Sequence, residues 1–157
     1  MFSRRPLSRQ ARCGAAACAV ASMFSAGAGD ARAGAAAPSP PVMPFSNAAL
    51  VNGVLYTSGQ IGVKPGENHL TPGGMPAEAR QAMDNIGAIL RANGLGFSDV
   101  FKCTVALSDM SKWSEFNTVY LTYFKTARLP VRSAFGASAL AYGGQVEVDC
   151  MASKSWK

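Results

Sequence analysis

Asn52-Gly53 lies between two apolar runs, Phe45 to Leu50 and Val54 to Ile61. That dipeptide is the strongest short-range hairpin signal a chain can carry, because a two-residue turn needs positive φ at both central positions. The start of the domain is thereby committed to antiparallel strands. The pattern then changes. Lys64 to Gly74 is a polar, Gly/Pro-rich loop, and from Pro76 to Ala92 the residues Ala79, Met83, Ile86 and Leu90 recur at helical spacing, with Asn93-Gly94 as the stop. Val100 to Leu107 alternates, putting Phe101, Cys103, Val105 and Leu107 on one face of a strand. Ser108 or Ser111 caps a second helix running to about Phe124, whose Trp113, Phe116, Val119 and Tyr120 form a broad apolar side. Arg132 to Ser138 and Gln145 to Ser153 read as two further strands joined through Tyr142-Gly143-Gly144. The order β-β-α-β-α-β-β predicts an α+β layer structure, with both helices on one face of a single sheet and the other face uncovered. An open sheet face on so small a domain predicts a homo-oligomer.

The N-terminus reads differently. Residues 1–33 begin with Arg4, Arg5, Arg9 and Arg12, continue through an apolar small-residue run from Cys13 to Ala28, and end at Ala31-Arg32-Ala33. This is the layout of a cleavable export signal, and it predicts a periplasmic or secreted protein; an organelle presequence, mitochondrial or other, is the alternative. Residues 34–43 form a Pro/Ala-rich linker, and 44–157 the folded domain. The leader holds five Arg and one Asp, so of the chain's net charge of +6 only +2 stays with the rest. No basic stripe with interleaved aromatics remains, which argues against nucleic-acid binding, and no segment reads as a membrane span once the leader is removed. Cys103 and Cys150 are the two cysteines outside the leader. Buried free thiols are the simpler expectation, and a cross-strand disulfide becomes available if the protein is exported.

The single histidine, His69, falls in the Gly/Pro loop, so neither a His-based metal site nor a Ser-His or Cys-His relay is supported. No glycine-rich phosphate loop follows a strand, and no cofactor is expected. What remains is Arg132, set among Pro130, Val131, Ala134 and Phe135, and Glu147, which shares one face of its strand with Asp149. A guanidinium holds a carboxylate in two parallel hydrogen bonds, so Arg132 and Glu147 on neighbouring strands form either a structural ion pair or a site for a small acid.

Particular residues narrow this choice. Pro44-Phe45-Ser46, Ser58-Gly59-Gln60-Ile61, Asp84-Asn85-Ile86 and Lys102-Cys103-Thr104-Val105 resemble segments of the reactive-intermediate deaminase family, also called RidA or YjgF. So do Phe116-Asn117-Thr118-Val119-Tyr120, Arg132-Ser133 and Val146-Glu147-Val148-Asp149. The resemblance runs from Pro44 to Ala152. It implies a chorismate-mutase-like fold, assembled as a homotrimer with clefts between subunits. It also implies cofactor-free hydrolysis of 2-imino acids and enamines, such as 2-iminobutyrate and 2-iminopropionate, to 2-oxo acids and ammonia. Arg132 would then bind the substrate carboxylate and Glu147 would position the attacking water. Backbone at Gly59 and Ala134, with Ser58, Asn117 and the aromatic wall of Phe45, would complete the substrate site. Two departures stand out: many family deaminases have Tyr in place of Phe45 and Cys in place of Ala134. A binding protein that holds a 2-oxo acid without turnover is the alternative. Ribonuclease activity, attributed to some members, is disfavoured by the modest charge and the lack of a histidine pair.

Overall fold

The computed structural model describes residues 43–124 and 128–156. The expected leader over 1–33 and the linker over 34–43, Met43 apart, lie outside the described residues. The hairpin forms as expected. β1 (Ala48–Val51) and β2 (Val54–Thr57) pair antiparallel around Asn52-Gly53, whose φ angles are 50° and 77°. The second run is not one strand, however. It breaks at Ser58-Gly59, and β3 (Gln60–Ile61) resumes beyond the break. Both pieces pair with β6 (Val146–Ala152), β2 through Tyr56 opposite Met151 and β3 through Gln60 opposite Val148, so between these pairs three residues on one strand face two on the other. That is a bulge, and it places the Gly59 backbone beside the start of β6.

The remaining elements are α1 (Gly74–Ala92), β4 (Val100–Leu107), α2 (Trp113–Tyr120) and β5 (Val131–Gly136). The strand order is β1-β2-β6-β4-β5, with β3 also on β6. β4 and β5 are parallel, the pairing that needs a crossover, here α2. The α1 stop works as read: the Leu95 and Gly94 amides donate to the Leu90 and Arg91 carbonyls, with Gly94 at φ 69°. The cap of the second helical segment does not. Neither expected serine caps it; instead the Asp109 carboxylate accepts from the Ser111 amide at 2.8 Å, holding the short 3-10 turn that leads into α2.

The core lies between the helices and one sheet face. Met75, Ala79, Met83, Ile86 and Leu90 of α1 and Phe116, Val119 and Tyr120 of α2 pack on Cys103, Val105 and Leu107 of β4 and Val146, Val148 and Cys150 of β6. Each large aliphatic side chain sealed there contributes roughly 1.5–3 kcal/mol. The opposite face carries Tyr56, Val131 and Phe135, all well exposed. Cys103 and Cys150 correct the expectation of free thiols: they are directly paired, 4.1 Å apart at Cα, and joined in a disulfide buried in this core. Among the described residues no helix is long and apolar enough to cross a membrane.

Candidate functional site

Arg132 stands on β5 level with Cys103 of β4, and Cys103 faces the core. Aligned residues of parallel strands share a face, so Arg132 projects on the helix side. There its guanidinium carbon lies 4.7 Å from the Tyr120 ring centre, 5.2 Å from Trp113 and 5.7 Å from Phe116. These are cation–π distances. The three rings sit on one side of α2 because positions 113, 116 and 120 are one helical turn apart. Arg132 borders a cavity of about 360 Å³ with Trp113, Asn117, Tyr120, Leu121, Leu129 and Pro130. Ala134, two residues along β5, is on the same face and packs against the core. The Tyr120 hydroxyl is buried with no hydrogen-bond partner, and burial pushes its phenol up to about 12, against the opposing pull of Arg132. The phenol is therefore neutral and protonated beside the cation.

Glu147 occupies a different place. On β6, Val146, Val148 and Cys150 are buried, so Glu147 and Asp149 between them are on the other face. Burial pushes the Asp149 carboxyl up, although Thr104 and Lys102 both favour its charged form. Glu147 lies against the backbone of Gly59: a Cβ at that position would be 2.7 Å from the Glu147 carboxyl carbon and 3.0 Å from its Cγ. The absence of a side chain at Gly59 is what gives the carboxylate its seat. Both residues line a cleft of about 1170 Å³ with Phe45, Gln60 and Tyr142. Phe45 is 52 % exposed there.

Arg132 and Glu147 are thus not on neighbouring strands. β4 separates β5 from β6, Arg132 is level with Cys103 and Glu147 with Ala106, and the two side chains are on opposite faces. No ion pair joins them among the described residues. The named residues fall into two groups, Arg132, Asn117 and Ala134 in one and Phe45, Gly59 and Glu147 in the other. Ser58 braces the second group, its hydroxyl donating to the Ser46 and Asn47 carbonyls at 2.9 and 3.0 Å. His69 sits exposed beside Glu67, at 3.3 Å.

Two supporting roles escaped the sequence reading. Glu78 of α1 is 4 % exposed and accepts from both the backbone amide and the side-chain Nε2 of Gln145, each at 2.8 Å. Hydrogen bonds to a charged group are the stronger kind, roughly 1.5–3 kcal/mol each, and these anchor the residue two before Glu147. Asn85 donates to the Ile61 and Val63 carbonyls at 3.3 and 2.8 Å, tying the end of β3 and the chain after it to α1. A lone Glu on the apolar stripe of a helix, one turn from Met75 and from Ala82, is the available signal for the first, but nothing local identifies its partner.

The family model described as Endoribonuclease L-PSP matches residues 35–154. The chain is 45 % identical over 109 residues to a 2-iminobutanoate/2-iminopropanoate deaminase of Bos taurus, covering 69 % of this chain and 79 % of the relative. It is 41 % identical over 109 residues to the protein of the same name in Homo sapiens, with the same coverage. Among solved structures it matches RidA from the Antarctic bacterium Psychrobacter at 34 % identity and TM-score 0.67, covering 72 % of this chain and 90 % of that one. It matches Escherichia coli TdcF with bound serine at 29 % identity and TM-score 0.68, covering 73 % and 91 %. With the α+β fold, the match over nearly all of the folded region and relatives at this identity, the chain belongs to the Endoribonuclease L-PSP family, the RidA/YjgF proteins.

Proposed function

We propose that this protein hydrolyses reactive 2-imino acids and their enamine tautomers to 2-oxo acids and ammonia, in sites built from two subunits of a homotrimer. The observation that carries the proposal is the state of Arg132. Its guanidinium is held by aromatic rings, and among the described residues no carboxylate forms an ion pair with it. Cation–π contact spends none of the N–H donors of the fork on a carboxylate and leaves them for a planar anion. A substrate carboxylate is such an anion. The relatives named 2-iminobutanoate/2-iminopropanoate deaminase supply the chemistry of the rest of the substrate.

In this mechanism Arg132 fixes the carboxylate, and Glu147 from the neighbouring subunit accepts a hydrogen bond from a water molecule. The water oxygen adds to the carbon of the protonated imine as Glu147 takes one water proton, forming a neutral carbinolamine. Glu147 then returns that proton to the nitrogen and takes the hydroxyl proton as the C=O bond forms and the C–N bond breaks, releasing ammonia and leaving the 2-oxo acid. An imine is already electrophilic, so positioning and one carboxylate base suffice. Phe45 provides an aromatic wall without a hydroxyl, and this one feature favours a second role, carboxylate binding without turnover.

The purified protein is expected to accelerate hydrolysis of freshly generated 2-iminobutyrate, followed by semicarbazide trapping. Arg132→Ala should cost about 100-fold or more in kcat/KM, the scale expected for losing a bidentate anchor. Stabilisation by 2-oxobutyrate with no acceleration would instead select the binding role. A sharper check falls on Gly59→Ala. The added methyl displaces the Glu147 carboxylate, the flexible end of a side chain, so folding should be preserved while kcat falls about 100-fold through misplacement of the base. An unchanged kcat would remove Glu147 from this role.

The same proposal puts the protein in an oxidising compartment, the periplasm or the exterior. The leader-like first 33 residues and the buried Cys103–Cys150 disulfide both support it.

A further inference from the structure

The chain uses one backbone shape twice. At Asn52-Gly53 the φ angles are 50° and 77°, and at Tyr142-Gly143 they are 58° and 73°. The second turn is closed by the Gly144 amide donating to the Ala141 carbonyl at 3.0 Å. In the hairpin the chain supplies Asn, which tolerates left-handed backbone and is favoured in such a turn. In the second turn it supplies Tyr, a bulky side chain for which that region is an outlier. Asn52 and Tyr142 are the two described non-glycine residues with positive φ.

Nothing in the packing accounts for the tyrosine. The residue is 60 % exposed and lies outside the core. It does line the cleft of Phe45, Gly59 and Glu147, and its turn ends three residues before Glu147. A disfavoured backbone retained at a cleft, with a side chain that local stability does not select, points to a use in the cleft.

We propose that Tyr142 is a specificity-determining residue of this site, its ring forming with Phe45 an aromatic wall that favours 2-imino acids with larger apolar side chains. The inference rests on the imine-hydrolase proposal and refines its substrate class. Both residues are more than half exposed in the free chain. An apolar side chain lying against them removes area from water on both partners, whereas a methyl group reaches little of it.

The test compares imines generated in place from leucine and from alanine by an amino-acid oxidase, with the full-length protein. Tyr142→Asn gives the turn the residue that the hairpin uses, so Tm should rise by about 2–4 °C. Its kcat/KM for the leucine-derived imine should fall about tenfold, and for the alanine-derived imine less than about threefold. Tyr142→Phe should retain both activities, because the ring is what is required. An unchanged ratio between the two imines in Tyr142→Asn overturns the inference. So does an equal loss on both accompanied by a lower Tm, which marks a purely structural residue. Tyr142→Gly serves the same comparison if the Asn variant does not fold. A wild type inactive on every imine brings down the functional proposal and this inference together; an active wild type with an unmoved ratio brings down this inference alone.

Discussion

Mixing two inactive variants, Arg132→Ala and Glu147→Ala, should recover activity. Each homo-oligomer is expected to be nearly inert, since one lacks the carboxylate anchor and the other the base. Arg132 projects on the helix side of the sheet and Glu147 on the other, with β4 between their strands. One substrate of a few carbons cannot touch both within a chain, so a site that uses both must take them from two subunits. In assemblies refolded together from equal amounts of the two variants, an interface has both native groups when each subunit contributes the one it retains. Random assembly gives about a quarter of the wild-type rate for such a shared site in a cyclic oligomer. If a single chain supplied both groups, every hybrid would carry one defective residue per site and no rate would return. Ammonia release from 2-iminobutyrate, before and after mixed refolding, reads the result, and a mixture as inactive as its parents would rule out the shared site.

Removing the disulfide is the change expected to cost most in stability. Cys103 and Cys150 are separated by 47 residues in sequence, and a cross-link closing a loop of that size stabilises by about 2–4 kcal/mol through restriction of the unfolded chain. Both sulfurs belong to side chains sealed in the core. Cys103→Ala/Cys150→Ala avoids leaving a lone thiol, and its Tm should be lower by roughly 10 °C or more. Alkylation of the unreduced, denatured protein should find neither cysteine free. Two alkyl groups at these positions, or a double variant that melts with the wild type, would show that the sulfurs do not cross-link the folded protein. Arg132 lies on the strand next to Cys103 in the same row, so the double variant should also bind carboxylates less well as it approaches its midpoint.

Much of the fold was legible because it rests on local physics. The Asn52-Gly53 turn, the Asn93-Gly94 stop and the alternation of Val146, Val148 and Cys150 with Glu147 and Asp149 each follow from steric preference or periodicity within a few residues. Arg132 and Glu147 stood out on chemistry, as charges set in apolar strands. Their relation did not. Adjacent in strand sequence, β5 and β6 are separated in the sheet because β4 pairs with both, burying Val105 and Leu107 centrally under the helices. The break at Ser58-Gly59 was read as continuous strand, since a bulge shows only against its partner's register. The Cys103–Cys150 bond stood only as the alternative to free thiols, and neither it, the Glu78–Gln145 lock nor the left-handed Tyr142 could be decided locally. The first two join residues 47 and 67 apart, and the third contradicts the preference of its own turn. Local preference acts within the span of a turn or a helix period; strand order, register and the face each side chain occupies come from burying all the apolar faces at once, a requirement that no short stretch of this chain expresses.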